Sequence, residues 1–436
     1  MATKSKRIPF GKPMLEAFCM DPGYTNLNSS SNGSWPKAVS NQLKAYWAQL
    51  EAQPDLFSEF CQGSVLQEAR LDLAQLLRAA VSECVLVTNA TTGIFTVLYN
   101  QDFKERDVVV TLSTTHAGWN SSSPSLSQSI VSQFERAIAQ IKAEGLHPRL
   151  AILETVVSIP AVRMPFEDLV RVCRREGVMS LLDGAHSVGH FEVNLQELQP
   201  DFFVSDCHKW LFVPRPCAVL YVAQRNQHMI RSTIPTSFGF IPKGGRSDLP
   251  LWSQMVSAGG TASPFETLFT YTATIDNMPH LCIPTALRFR RDVCGGEAAI
   301  YQYIKRLAKQ GGDRVAEILQ TEVLEEPALG PGLADSQMRD CGIVTVRLPL
   351  SIAFGSASAA TVPGAPLAGE EVGPAIRHLT KALAEEYKTW LPIIDHHGWI
   401  WARLCAQVYL EISDFEMAGD ALKVLCERIL NRETGL

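Results

Sequence analysis

The chain has 436 residues, 46% of them hydrophobic and 19% charged, with a formal net charge of −6. That length exceeds what one hydrophobic core usually supports, so two domains are expected, and the mild acidity without a basic stripe excludes an electrostatic case for nucleic-acid binding. No stretch approaches the ~20 consecutive apolar residues of a membrane span, and the eleven cysteines include neither a CxxC pair nor a metal-ligand spacing with histidine, so they read as scattered core residues of a cytoplasmic, reducing compartment.

The first seven residues are basic, but Pro9, Gly11 and Pro13 follow at once, so no apolar stretch completes a signal peptide. Residues 21–35 are rich in Gly, Ser and Asn without hydrophobic period and read as a loop or arm; Pro36 then fits the first turn of a helix. Residues 65–80 repeat Leu and Ala at helical spacing, 84–88 form a short apolar run, and Thr91-Thr92-Gly93 opens a helical segment ending near Tyr99. The alternation continues with strands at 108–112, 150–157, 178–182, 202–204 and 218–222, and helices at 130–143 and 166–176. Strands buried on both faces and separated by helices predict an α/β fold with a mainly parallel sheet flanked by helices, whose ligands bind at the carboxyl ends of the strands.

After about Pro284 the pattern changes to longer helices, one running from Ala286 past Gly295-Gly296 and another at 299–309, mixed with isolated strands such as 342–348. The expected organisation is an N-terminal arm (1–35), a large α/β domain (36–284) and a smaller α+β domain (285–436). Residues 351–369, rich in Ala, Ser, Pro and Gly, are read as a surface loop.

Three clusters carry chemistry. In Ser180-Leu-Leu-Asp183-Gly-Ala-His186 an acidic residue leaves an apolar strand, followed by small residues that let a ligand approach. A carboxylate there suits a pyridine nitrogen and would keep it protonated, turning a pyridoxal 5'-phosphate (PLP) ring into an electron sink, with His186 at the phenolic oxygen. The competing reading is that Asp183 caps the next turn. One strand later comes Asp206-Cys-His208-Lys209-Trp210, where a lysine in a partly desolvated pocket can form a Schiff base with an aldehyde cofactor. A His-Lys pair alone is a weak signal; its place after the Asp-Gly-Ala-His turn makes it strong. The third cluster, Thr88-Asn-Ala-Thr91-Thr92-Gly93, joins a strand to a helix N-terminus, which is either a phosphate site or an ordinary threonine cap. No GxGxxG or GxxxxGK[ST] fingerprint is present, and the ten histidines include no HExxH, which argues against a dinucleotide, a nucleoside triphosphate or a catalytic metal.

With these clusters in order the chain resembles the class V aminotransferase-fold enzymes, the PLP-dependent fold type I group that includes cysteine desulfurases and isopenicillin N epimerase-like proteins. Arg7-Ile-Pro-Phe-Gly-Lys-Pro-Met, Asn89-Ala-Thr-Thr-Gly, Cys207-His-Lys-Trp-Leu-Phe-Val-Pro-Arg and Trp401-Ala-Arg-Leu-Cys-Ala-Gln-Val-Tyr are similar to the fungal L-cysteine desulfhydrase-like proteins of loline alkaloid biosynthesis. The resemblance implies Lys209 as the Schiff-base lysine, Asp183 at the pyridine nitrogen and His186 at the ring hydroxyl. It further implies Thr91, Thr92 and His208 at the phosphate, Arg403 at the substrate carboxylate and Asn28 near the substrate. Thr272-Ala-Thr274 resembles a Thr-Gly-Thr motif through which the second subunit of a homodimer completes the phosphate site, so a dimer with Thr274 at the cofactor is implied.

Three departures from the pattern stand out. His116 replaces an aromatic residue stacked on the cofactor, a place imidazole can also fill. The stretch from His116 to Ile130 is too short to hold the helix and strand that normally follow, so one strand of the sheet is expected to be missing or the cofactor wall damaged. Asp206 lies where relatives often carry Ser or Asn, and its charge would repel a phosphate unless it points away. The resulting expectation is a PLP enzyme acting at the α-carbon of a small amino-acid-derived substrate in alkaloid synthesis. The alternatives are a true L-cysteine or cysteine-conjugate C–S lyase, and a degenerate, non-catalytic homologue.

Overall fold

A computed structural model of the protein describes residues 7–112, 126–237, 240, 263–325, 337–353 and 366–433. Helices α1 (Lys37–Ala52) and α2 (Gly63–Leu77) lead into the first strand, β1 (Cys84–Val87), and α3 (Ala90–Tyr99). There follow β2 (Asp107–Thr111), α4 (Leu126–Ala143), β3 (His147–Glu154), α5 (Phe166–Glu176), β4 (Met179–Asp183), β5 (Phe202–Asp206), the single turn α6 (Cys207–Trp210) and β6 (Ala218–Val222). The six strands form one sheet in the order β1-β6-β5-β4-β3-β2. Strands β2 to β5 pair in parallel, while β6 is antiparallel to both β5 and β1. The sheet is thus mainly parallel as expected, and β1 runs in the same direction as β5.

The apolar runs are continuous because both faces are covered. Leu150, Leu181, Phe202 and Val204 pack with Ala90 and Val97 of α3 on one face. Leu153, Leu182 and Phe203 alternate onto the other, with Leu169, Val170 and Cys173 of α5. Each such buried side chain stabilises by roughly 1.5–3 kcal/mol relative to exposure. The same alternation leaves Glu154, Asp183 and Asp206 as the last residues of β3, β4 and β5, at one edge of the sheet.

Further along the chain come α7 (Pro264–Thr270), whose Phe265 packs with the large sheet, α8 (Ile283–Asp292), α9 (Glu297–Leu319), β7 (Ile343–Ser351), α10 (Gly369–Glu386), β8 (Ile393–His396), β9 (Trp399–Cys405) and α11 (Ile412–Leu430). Strands β7 to β9 form a second, antiparallel sheet in the order β7-β9-β8.

Several sequence expectations need correction. The helix expected to run past Gly295-Gly296 stops at Asp292, because both glycines adopt left-handed φ (+91° and +97°) that a helix cannot contain. The helix read at 299–309 extends over the whole of Glu297–Leu319, and β3 begins at His147 and ends at Glu154. The loop read to residue 369 ends earlier, since Gly369 already opens α10; residues 354–365 lie outside the described ones. The N-terminal arm is no loose loop: Ser29–Asn32 form a helical turn, and Leu27 O accepts the Cys405 N–H at 2.9 Å. Between β2 and β3 the helix starts at Leu126, earlier than read, and residues 113–125, including His116, lie outside the described ones. Among the described residues β2 is the edge strand next to β3.

Candidate active site

Lys209 stands on α6, the one-turn helix that follows β5 directly. Its Nζ lies 3.0 Å from Asp206 Oδ2, with Asp206 nearly buried. The other oxygen, Oδ1, accepts the Ala90 N–H at the first turn of α3, at 2.8 Å. A carboxylate at a helix N-terminus meets a favourable dipole, and here it is balanced by an ammonium as well. Asp206 therefore points at Ala90 and Lys209.

On the adjacent strand end, Asp183 Oδ1 accepts the Ala185 N–H at 3.0 Å. Burial raises the Asp183 pKa; the Ala185 N–H and Lys209 pull it back, and Asp206 adds to the rise. Three residues on, His186 is buried and its Nδ1 has no hydrogen-bond partner. Burial, followed by the charges of Lys209 and Arg403, holds its pKa well below the usual histidine range, so the ring is neutral. His186 thus senses the lysine and the arginine together.

The α3 N-terminus is capped from within: Asn89 Oδ1 accepts the Thr92 N–H at 2.8 Å, and the Thr88 hydroxyl donates to Thr92 Oγ1 at 3.0 Å. Thr91 is exposed and Thr92 partly so. His208 Nδ1 lies 3.1 Å from the Cys217 carbonyl, and burial lowers its pKa. A phosphate contact from His208 therefore falls to Nε2. Thr274 is exposed, its hydroxyl 3.2 Å from that of Tyr271.

Arg403 lies on β9, the middle strand of the small sheet, and is 3% exposed. Its Nη1 donates to Ser158 O at 2.9 Å, and its Nη2 to Asn28 Oδ1 at 2.7 Å and Ser31 Oγ at 2.8 Å. Nε is buried without a partner among the described residues. All these partners are neutral, and among the described residues no carboxylate pairs with this guanidinium. A buried cation without a counter-ion is costly, and its planar fork has the geometry to take a carboxylate.

Three contributors escaped the sequence reading. Ser31 and Ser158 meet Arg403 only through the fold. Glu154 carried a legible signal, because like Asp183 it is an acidic residue ending an apolar strand. The two are register neighbours across β3 and β4, and burial together with Asp183 pushes the Glu154 pKa up to about 7.

Residues 25–239 match the aminotransferase class-V family. The L-cysteine desulfhydrase-like protein lolT2 of Epichloe uncinata is 75% identical over 454 aligned positions, covering 100% of this chain and 98% of the relative. Its counterpart lolT1, from the same organism, is also 75% identical, with 100% of both chains covered. The 454 positions exceed the 436 residues of this chain, so these relatives carry sequence that it lacks. Among solved structures, a lysine-to-alanine mutant of C-DES with glycine covalently linked to its PLP cofactor superposes with a TM-score of 0.64 at 18% identity, covering 92% of this chain and 96% of that one. That likeness supports the fold. The 75% identity over the full length, on a sheet whose carboxyl edge presents Asp183, His186 and Lys209, decides the family: the chain belongs to the class V aminotransferase family of PLP-dependent enzymes, among its L-cysteine desulfhydrase-like members.

Proposed function

We propose that this enzyme breaks a bond at the α-carbon of an amino-acid-derived substrate in fungal loline alkaloid biosynthesis, and that it works as a homodimer. The residues fit PLP: a lysine at a strand end, an acidic residue on the neighbouring strand and a buried histidine nitrogen, His186 Nδ1, without a partner. When bound, PLP supplies an aldehyde that attaches amines covalently and a pyridine ring that withdraws electrons from the attached carbon.

In this reading Lys209 would hold the cofactor and, as a free amine, act as the base for the α-proton. Asp183 would keep the pyridine nitrogen protonated, and His186 would contact the ring hydroxyl. Thr91, Thr92 and His208 would hold the phosphate with Thr274 of a second subunit, and His116, outside the described residues, would cover the ring. The observation that carries the substrate class is Arg403, a buried guanidinium whose hydrogen-bond partners among the described residues are all neutral. Arg403, oriented by Asn28, would bind the substrate carboxylate and so fix the orientation of the bonds at the α-carbon. The division into an arm (1–35), a cofactor domain (36–284) and a C-terminal domain (285–436) belongs to the same proposal.

The pathway assignment rests on the identity with lolT2 and lolT1. The deciding experiment offers purified, PLP-loaded enzyme either L-cysteine or a proline-containing diamino acid. Turnover of the diamino acid without sulfide from L-cysteine is expected. Sulfide and pyruvate from L-cysteine would assign a C–S lyase instead, and protein that stays colourless with PLP would sink both.

A further inference from the structure

His190 is 1% exposed and bonded at both ring nitrogens. The Gly342 N–H donates to Nε2 at 2.6 Å, which makes that nitrogen an acceptor. Nδ1 must then carry the proton, and it lies 2.7 Å from the His186 carbonyl, to which it donates. The ring is neutral in this tautomer, and burial holds its pKa down to about 3. One face stacks on the indole of Trp210, ring centroids 3.7 Å apart and planes within 4°.

These contacts join three parts of the site. His186 feels the charges of Lys209 and Arg403, and Trp210 follows Lys209 directly. Gly342 leads into β7, and its carbonyl accepts the Ala406 N–H at 2.8 Å, just beyond the Arg403-bearing strand β9. A continuous chain of hydrogen bonds therefore runs from the His186 backbone through the imidazole to the end of β9. The opposite side of the same region is fixed by Arg290, which donates to Trp210 O and to Gly189 O, each at 2.9 Å. Gly189 adopts φ +83° and approaches Trp210 so closely that a Cβ would lie 2.7 Å from the Trp210 carbonyl. The imidazole edge also borders a cavity of about 430 Å³ shared with Tyr301, Lys305 and Cys341. The ring is therefore held by its stack on Trp210 and by its two hydrogen bonds together.

We propose that His190 is a positioning residue that fixes the carboxylate clamp, Arg403, relative to the lysine and ring-contact side of the site, through its paired bonds to His186 and Gly342. It touches neither cofactor nor substrate. The inference rests on the reading of Lys209 and Arg403 given above. Its signature is selective: loss of the link displaces the carboxylate subsite while leaving the amine-reactive end in place.

The test uses full-length, PLP-loaded protein and two probes, L-serine and ethanolamine, which differ by the carboxylate. Binding is read from the change in the cofactor's visible absorbance. Wild type should bind L-serine more tightly than ethanolamine. His190→Leu, which keeps bulk but removes both bonds, should weaken L-serine at least tenfold and leave PLP uptake and ethanolamine binding within twofold. His190→Gln, whose amide can donate and accept at once, should recover L-serine binding to within threefold of wild type. Equal weakening of both probes, unchanged L-serine binding, or no rescue by Gln would overturn the proposal. Should His190→Leu not fold, Gly342→Ala carries the same test, because its Cβ would press on His190 Nε2 at 3.1 Å: selective loss of L-serine is expected, and equal loss or none overturns the idea. If wild type itself fails to prefer L-serine, the Arg403 reading has failed first, and the role of His190 falls with it.

Discussion

Lys209 Nζ and Asp206 Oδ2 lie 3.0 Å apart, and the second oxygen of the same carboxylate receives the first N–H of α3 at 2.8 Å. One acidic side chain thus ties the lysine turn to the N-terminus of α3, the helix end proposed for the phosphate. The carboxylate points at that helix end and not away from it, and its charge there is offset by the Ala90 N–H and by Lys209.

Asp206→Ala strips the Ala90 N–H and the lysine of their shared acceptor. The apo protein should lose about 2–3 kcal/mol of stability in urea unfolding. Asp206→Asn keeps an acceptor for Ala90 and should lose only about 1 kcal/mol. Equal losses for the two variants would mean that the helix contact contributes nothing.

Glu154 binds its proton more tightly in the folded protein, with a pKa pushed from 4.5 up to about 7 by burial and by Asp183. The stability this proton confers is fully present below the ordinary carboxyl range and is lost as pH rises through about 7. Glu154→Gln, permanently neutral, should therefore match wild type at pH of about 4 and exceed it above pH of about 7, on the order of 1–2 kcal/mol after allowance for partial exposure. Urea unfolding of the apo proteins at the two ends of this range measures the difference. A constant gap between the curves would contradict the assignment.

Arg403→Lys replaces a bidentate fork by a point charge at a buried site, which is not a conservative change. PLP uptake should be unaffected, while kcat/KM for the physiological amino acid falls roughly 100-fold, or about 2.7 kcal/mol, mainly through KM. A loss confined to kcat, or loss of the cofactor, would remove Arg403 from the substrate carboxylate.

Much of the cofactor edge was legible because each strand is an apolar run that stops at a polar residue. Asp183 and Lys209 stand where such runs end, and the alternation of strand and helix announced a mainly parallel sheet. Strand direction was less legible: β6 is as apolar as the mutually parallel strands β3 to β5, and nothing local marks it as antiparallel. The Gly295-Gly296 break was present as a signal, but glycine alone does not reveal that both residues take left-handed φ. Contacts such as Arg403 to Asn28, or His190 to Gly342, join residues far apart in the chain. Local periodicity holds no information about them, so the neutral cradle of Arg403 and the double bonding of His190 emerged only with the fold.

The most direct measurement of the central claim is borohydride reduction of the PLP-loaded protein followed by peptide mapping. The loaded enzyme should absorb near ~420 nm, an expectation of the lysine-bound cofactor. Reduction should bleach that band and leave the pyridoxyl label on Lys209, and Lys209→Ala should take no label. A label on another lysine, or a protein that binds no PLP at all, would contradict the account.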